Sequence, residues 1–188
     1  VAAMVIVIAT LAVGAVAYFR PVPEAAQAVQ FVVSAPDKTT FESGVGAGAI
    51  GYTTGGSISP NGRRLAFTAR DESGKVMLWV RGLDTLAAQP LPGTDGAALP
   101  FWSPDSRVIG FFAQGKLKKI DVEGGPPQTL CDAPNGRSGS WNRDGVIVFA
   151  PNITGPLNRV SSAGGAAVAV TKLMPQQRGH RFPSFLPD

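Results

Sequence analysis

One turn recurs along this chain, and each time an apolar strand follows it. Ser59-Pro60-Asn61-Gly62 leads into Arg64-Leu65-Ala66-Phe67, and Ser103-Pro104-Asp105-Ser106 leads into Val108-Ile109-Gly110-Phe111. Asn142-Arg143-Asp144-Gly145 leads into Val146-Ile147-Val148-Phe149, and Leu186-Pro187-Asp188 opens a fourth copy. The turn positions Asn61, Asp105, Asp144 and Asp188 lie 44, 39 and 44 residues apart. A period of about 40–45 residues is that of one blade of a β-propeller, a unit that buries its faces only by stacking on its neighbours. The expected architecture is all-β: an incomplete propeller of about three four-stranded blades, cut off within the fourth.

Composition agrees with short strands joined by many turns. Of 188 residues, 44% are hydrophobic and only 16% charged, with 23 glycines and 16 prolines. That is too apolar for a disordered chain and too rich in turn formers for a helical bundle. The formal charge of +4 comes from scattered basic residues, the densest group being Lys116, Lys118 and Lys119. Nucleic-acid binding needs a clustered basic face, so no nucleic-acid partner is expected. Cys131 is the only cysteine and His180 the only histidine, which excludes an internal disulfide framework and a zinc site built from these types. Cys131 reads as a small strand residue.

The first nineteen residues, Val1 to Phe19, carry no charge. As a helix they would span roughly 28 Å, the thickness of a bilayer's hydrocarbon core. Tyr18 stands where an interfacial aromatic would, and Arg20-Pro21-Val22-Pro23 would end the helix. The segment reads as a transmembrane helix over 1–19. The competing reading is the apolar part of a signal peptide with Ala15-Val16-Ala17 as its cleavage site. Residues 20–29 read as a proline-stiffened linker and 30–188 as the repeat region. Either reading places 20–188 outside the cytoplasm, and the first makes the chain a single-pass protein of the cell membrane.

Within the repeat region, Gln30 to Val33 reads as a first strand, Ala35-Pro36-Asp37-Lys38 as a turn and 43–57 as a Gly-rich loop. Each later unit reads as four strands. A short one ends in an aromatic (Phe101-Trp102, Ser140-Trp141, Ser184-Phe185), and the turn and apolar strand follow. The third strand is Met77 to Leu83, Leu117 to Val122 or Leu157 to Val160. The fourth is Gln89-Pro90-Leu91, Gln128-Thr129-Leu130 or Ala167 to Val170. Proline at the second turn position fixes φ, while Asn, Asp and Gly tolerate the tight backbone. The repeat-turn residues Ser59, Pro60, Asn61, Gly62, Ser103, Pro104, Asp105, Asp144, Gly145, Pro187 and Asp188 are therefore structural.

Motifs that resemble catalytic ones lack the context their chemistry needs. Gly46-Ala47-Gly48-Ala49-Ile50-Gly51 fits G-x-G-x-x-G, but Tyr52-Thr53-Thr54-Gly55-Gly56 cannot start the helix that would receive a pyrophosphate. Gly136-Arg137-Ser138-Gly139-Ser140 lacks the last glycine of a nucleophile elbow and leads into a strand. Asp71-Glu72 reads as a solvated hairpin tip. His180 reads as a strand-edge residue bonded to a neighbouring blade. With Arg181 it is also the one candidate for a ligand-facing position. Trp79, Trp102 and Trp141 read as packing between blades. No catalytic residue, metal site or cofactor is expected in this segment.

The Ser-Pro-Asp-Gly-Arg-x-Leu-Ala-Phe type of repeat, seen best at Ser59 to Phe67, resembles the WD-like propeller repeats of the TolB type. Phe101 to Phe111 and Trp141 to Phe149 match it more loosely. The order of apolar span, linker and repeats resembles bacterial transmembrane serine/threonine protein kinases, whose propellers also carry a segment similar to Gly179 to Asp188. That resemblance implies a cytoplasmic kinase domain before Val1, the only part that would use ATP and Mg²⁺. It implies an extracytoplasmic sensor propeller that binds a protein, peptide or small ligand. The alternatives are a secreted or periplasmic TolB-like binding protein and the propeller gate of a serine oligopeptidase.

Overall fold

The computed structural model describes residues 33–42 and 56–186. The expected span, the linker, the Gly-rich loop over 43–55, most of the strand at Gln30 to Val33, and the turn residues Pro187 and Asp188 lie outside the described residues. Among the described residues no helix is long and apolar enough to cross a membrane. Those that follow Val33 belong to one compact unit, Ser34–Asp188.

That unit is all-β, in three antiparallel sheets. The first sheet holds β1 (Thr39–Phe41), β2 (Ser57–Ile58), β3 (Arg64–Asp71), β4 (Val76–Gly82) and β5 (Ala88–Pro90). The second is β6 (Ala98–Trp102), β7 (Val108–Ala113), β8 (Lys116–Asp121) and β9 (Gln128–Asp132), and the third is β10 (Gly139–Trp141), β11 (Val146–Phe149), β12 (Asn158–Ser161) and β13 (Val168–Ala169). The second and third sheets are simple four-stranded meanders in chain order. The first has five strands rather than the expected four, because β1 and β2 both pair with the same edge of β3. Thr39–Phe41 face Asp71–Ala69, the Glu42 N–H donates to the Thr68 carbonyl at 3.0 Å, and Ser57 faces Ala66. Only Phe67 separates the β3 residues opposite Glu42 and Ser57, so β1 and β2 are two halves of one innermost strand. Ser57 is thus strand, not the end of a loop.

The three sheets stack with their innermost strands adjacent. β6 packs against β2 and β3 on one side and β10 on the other, and the Trp102 indole N–H donates to the Ser57 carbonyl at 2.8 Å. This is the arrangement of consecutive propeller blades. Two cores lie between the sheets. Ala66, Leu78, Val80, Leu91, Trp102, Ile109, Phe111 and Ile120 fill the first, and Phe101, Phe112, Leu117, Leu130, Ile147, Phe149 and Val160 fill the second. β7 serves both, with Ile109 and Phe111 facing one way and Phe112 the other, which is why it reads as a continuous apolar run. Burying each such side chain contributes about 1.5–3 kcal/mol. Trp102 and Trp141 do pack between sheets. Among the described residues Trp79 has no sheet beside it: it pairs with Phe67 on the face of the first sheet opposite Leu78 and Val80.

A backbone feature invisible in the repeat pattern precedes the recurring aromatic in the second and third units and again at Phe185. Leu99, Ser138 and Phe182 have φ of 50°, 72° and 56°, and each stands three residues before Trp102, Trp141 or Phe185. At Leu99 the residue forms a β-bulge in the pairing of β6 with β7. A left-handed residue with a Cβ costs roughly 1–2 kcal/mol. Its recurrence fixes how the strand enters the sheet. Among the described residues Ser184-Phe185, expected as a strand, pairs with no neighbour. Phe185 is held against the third sheet by its N–H, which donates to Ser140 Oγ at 3.1 Å.

Candidate functional site

The recurring turns gather at one end of the array, and hydrogen bonds set each of them. In the first, Ser59 Oγ donates to Asn61 Oδ1 at 2.7 Å and accepts from the Arg64 N–H at 2.9 Å, while Asn61 Oδ1 accepts from Arg63 N at 3.1 Å. The second repeats this with Ser103, Asp105, Arg107 and Val108, at 2.6, 2.9 and 3.1 Å. Gly62 and Ser106 take the left-handed position, with φ of 69° and 62°. The Ser103 hydroxyl holds the Asp105 carboxyl below its ordinary range against the opposing effect of burial, with a lesser lowering from the Arg107 N–H.

The third turn is built differently. Asn142 Oδ1 alone accepts from the N–H groups of Asp144 and Val146, at 3.1 and 2.9 Å. The strand resumes at Val146, four residues after Asn142, whereas Arg64 and Val108 stand five after Ser59 and Ser103. One amide does the work of a serine and an aspartate, and the turn is one residue shorter.

That difference opens a cleft. Between the first two turns the Asn61 N–H donates to Ser106 Oγ at 3.1 Å, joining them. Between the second and third lies a cavity of about 370 Å³, lined by Ser103, Pro104, Asp105, Val108, Trp141 and Arg143 among others. A second depression of about 390 Å³ shares Pro104, Trp141, Asn142 and Arg143 and reaches Pro60, Asp144, Phe185 and Leu186. The two form one trough of mixed character, with Pro60, Pro104, Trp141 and Phe185 as its apolar surface and Ser103, Asn142, Arg143, Asp105 and Asp144 among its polar groups. Each volume sits at the small end of the range for ligand pockets. Phe185 is 37% and Leu186 85% exposed, so the trough offers apolar surface to a partner.

Of the residues read from sequence, Ser103, Pro104, Asp105, Asp144 and Gly145 line this end of the second and third units, and Pro60 reaches it from the first. Ser59, Asn61 and Gly62 form the first turn itself. His180 and Arg181 are not in the trough. His180 lies at the opposite end of β11, where its N–H donates to the Gly155 carbonyl at 3.0 Å. Its Nε2 is 3.0 Å from Gln177 Oε1 and its Nδ1 2.9 Å from Thr171 Oγ1. These bonds fit the tautomer in which Nε2–H donates to the amide oxygen and Nδ1 accepts from the hydroxyl. They tie His180 to the segment after β13 and to the loop after β11, because that segment folds back over the loop. Trp141, Arg143, Phe185 and Leu186 were missed as a binding surface. Their signal was the departure of Asn142-Arg143 from Ser-Pro.

Among the described residues no three His, Cys, Asp or Glu side chains converge as a metal site would require. The three lysines of β8 bond separately, Lys116 to Asp132, Lys118 to Gln114 and Lys119 to the Ser162 carbonyl. Ser140 accepts from Phe185 and has no histidine beside it.

No protein-family model and no curated protein matches this sequence. Among solved structures, the chain is similar to a putative TolB from Agrobacterium tumefaciens at 19% identity and a TM-score of 0.49, over 60% of this chain and 46% of that one. It is similar to TolB from Acinetobacter baumannii at 16% identity and a TM-score of 0.39, over 70% and 45%. It also resembles the β-propeller domain of the Trilobed protease from Pyrococcus furiosus at 17% identity and a TM-score of 0.42, over 54% and 37%. The chain thus spans less than half the length of each. The class of fold is defined by the strand order itself: antiparallel four-stranded meanders stacked at their innermost strands.

Proposed function

We propose that this chain is a recognition scaffold, part of a TolB-type propeller, that holds an extended peptide or a protein segment in the trough at its turn end. The observation that carries this is the cleft between the second and third turns. There Trp141 and Pro104 form an apolar wall beside the exposed Arg143. Packed turns would fill this space, as Asn61 and Ser106 do one unit earlier. Ser103 and Asp105, which line the trough, are bonded to each other at 2.6 Å in setting their own turn, an arrangement that suits a fixed binding wall. In the finer reading the scaffold is the extracytoplasmic sensor of a membrane-anchored receptor-like serine/threonine kinase. The apolar residues 1–19 and the linker support that setting from the sequence.

Selection of displayed peptides on the folded chain tests the binding. Selected peptides should change Trp141 fluorescence, and Arg143→Glu and Pro104→Ala should each weaken them, while Lys172→Glu, outside the trough, should not. Binding untouched by both trough variants refutes the site. For the setting, protease added to intact cells should digest residues 20–188. Digestion only after permeabilisation refutes the extracytoplasmic placement.

A further inference from the structure

Asparagine is followed by glycine twice, at Asn61-Gly62 and Asn135-Gly136. This pair is chemically labile because glycine has no side chain to obstruct its own nitrogen. We propose that Asn135 is a site of spontaneous deamidation in the folded protein, and that the fold protects Asn61.

The reaction needs only water. The Gly136 backbone nitrogen gives up its proton and attacks Cγ of Asn135. A new N–C bond forms, the bond to the side-chain amide nitrogen breaks, and ammonia leaves with the proton. Water then opens the resulting cyclic imide at one carbonyl or the other, giving aspartate or isoaspartate with no change of oxidation state.

The two sites differ in what must move first. The Asn61 amide is pinned, since its Oδ1 takes a hydrogen bond from Ser59 Oγ at 2.7 Å and another from Arg63 N at 3.1 Å. The attacking Gly62 nitrogen is itself engaged with the Ser59 carbonyl at 2.8 Å. Asn135 stands in the turn Ala133 to Gly136, between β9 and β10, with an exposed side chain that finds no hydrogen-bond partner among the described residues. The Gly136 N–H makes a longer contact of 3.3 Å with the Ala133 carbonyl. Breaking the two bonds to the Asn61 amide should slow that site by on the order of tenfold or more.

The position has a structural consequence. A Cβ at Gly136 would stand 2.0 Å from Cδ1 of Phe112, a residue of the second core, so the glycine main chain lies against that ring. Isoaspartate adds a methylene to the main chain beside this contact. The change presses on the interface between the second and third sheets.

Peptide mapping by mass spectrometry after incubation of the folded chain at mildly alkaline pH is the test, with isoaspartate read by enzymatic carboxyl methylation. The Asn135 peptide should convert at least about tenfold faster than the Asn61 peptide, and unfolding in urea should bring the rates together. Asn135→Gln should remove the fast phase and leave the Asn61 rate unchanged. Equal rates in the folded chain, a faster Asn61, or a fast phase that survives Asn135→Gln would overturn the proposal.

Discussion

The ring of Phe101 occupies the space that a side chain on Gly110 would need: a Cβ there would stand 2.4 Å from Phe101 Cζ. On its other side the ring meets Gly139 of the third sheet, where an added Cβ would lie 2.7 Å from Cε1. One aromatic side chain thus fits between glycines of two consecutive blades. Its contacts run on through Phe112 to Phe149, with ring centroids 6.2 and 6.4 Å apart.

Gly110→Ala and Gly139→Ala should each destabilise the chain by about 1–3 kcal/mol, the range for overpacking a filled core. The urea midpoint measures this. An alanine at Gly96, where an added Cβ would meet nothing within 4 Å, shows the loss from left-handed φ alone, since that residue has φ of 72°. A smaller loss at Gly110 than at Gly96 would contradict the wedge.

Ser138→Gly should raise stability by about 0.5–1 kcal/mol. The Cβ strain at φ 72° outweighs the extra chain entropy of glycine, and no side-chain hydrogen bond of Ser138 is lost. Ser138→Val should lower it, because a β-branched residue fits that backbone worst. Thermal melting distinguishes the two.

Acid should loosen the second turn. The folded state holds the Asp105 carboxyl below its unfolded value, chiefly through the Ser103 hydroxyl. Its contribution is therefore complete above the unfolded carboxylate range and is lost as pH falls through the lowered folded value. Asp105→Asn places in the second turn the amide that Asn61 supplies in the first. It should be close to neutral at pH 7 and should flatten the acid limb of the stability profile. Asp71, lowered mainly by the Ser73 hydroxyl, contributes to the same slope and is untouched by this change.

Cys131 should resist alkylation at neutral pH. Burial pushes its thiol up to about 11, with the Asp132 carboxylate adding to the effect. The thiolate is the reactive form, so the folded chain should react with iodoacetamide far more slowly than the urea-unfolded chain. The raised value also fixes the sign of its pH effect. Stability from this group is whole below the unfolded thiol range and declines as pH climbs through about 11.

The strand order was legible because local chemistry sets it. A serine or asparagine opens each turn and a left-handed Gly62, Ser106 or Gly145 closes it, and alternation or continuous apolar runs mark each strand. Arg64–Asp71, Val108–Ala113 and Val146–Phe149 all fall where the pattern puts them. Thr39–Phe41 escaped notice because it has three residues and its other half lies beyond the Gly-rich segment. The trough was illegible for a related reason, since it exists only as a difference between neighbouring turns.

The amino-acid sequence by itself determined the period, the turns and the all-β character, since each follows from backbone preferences within a few residues. Tertiary structure alone decided which glycines are indispensable, because the rings of Phe101 and Phe112 that press on Gly139 and Gly136 arrive from another strand. It decided that His180 bonds Thr171, Gln177 and the Gly155 carbonyl. It also decided that a turn one residue shorter leaves a cleft beside Trp141. These depend on contacts between residues far apart in the chain, which no local pattern encodes.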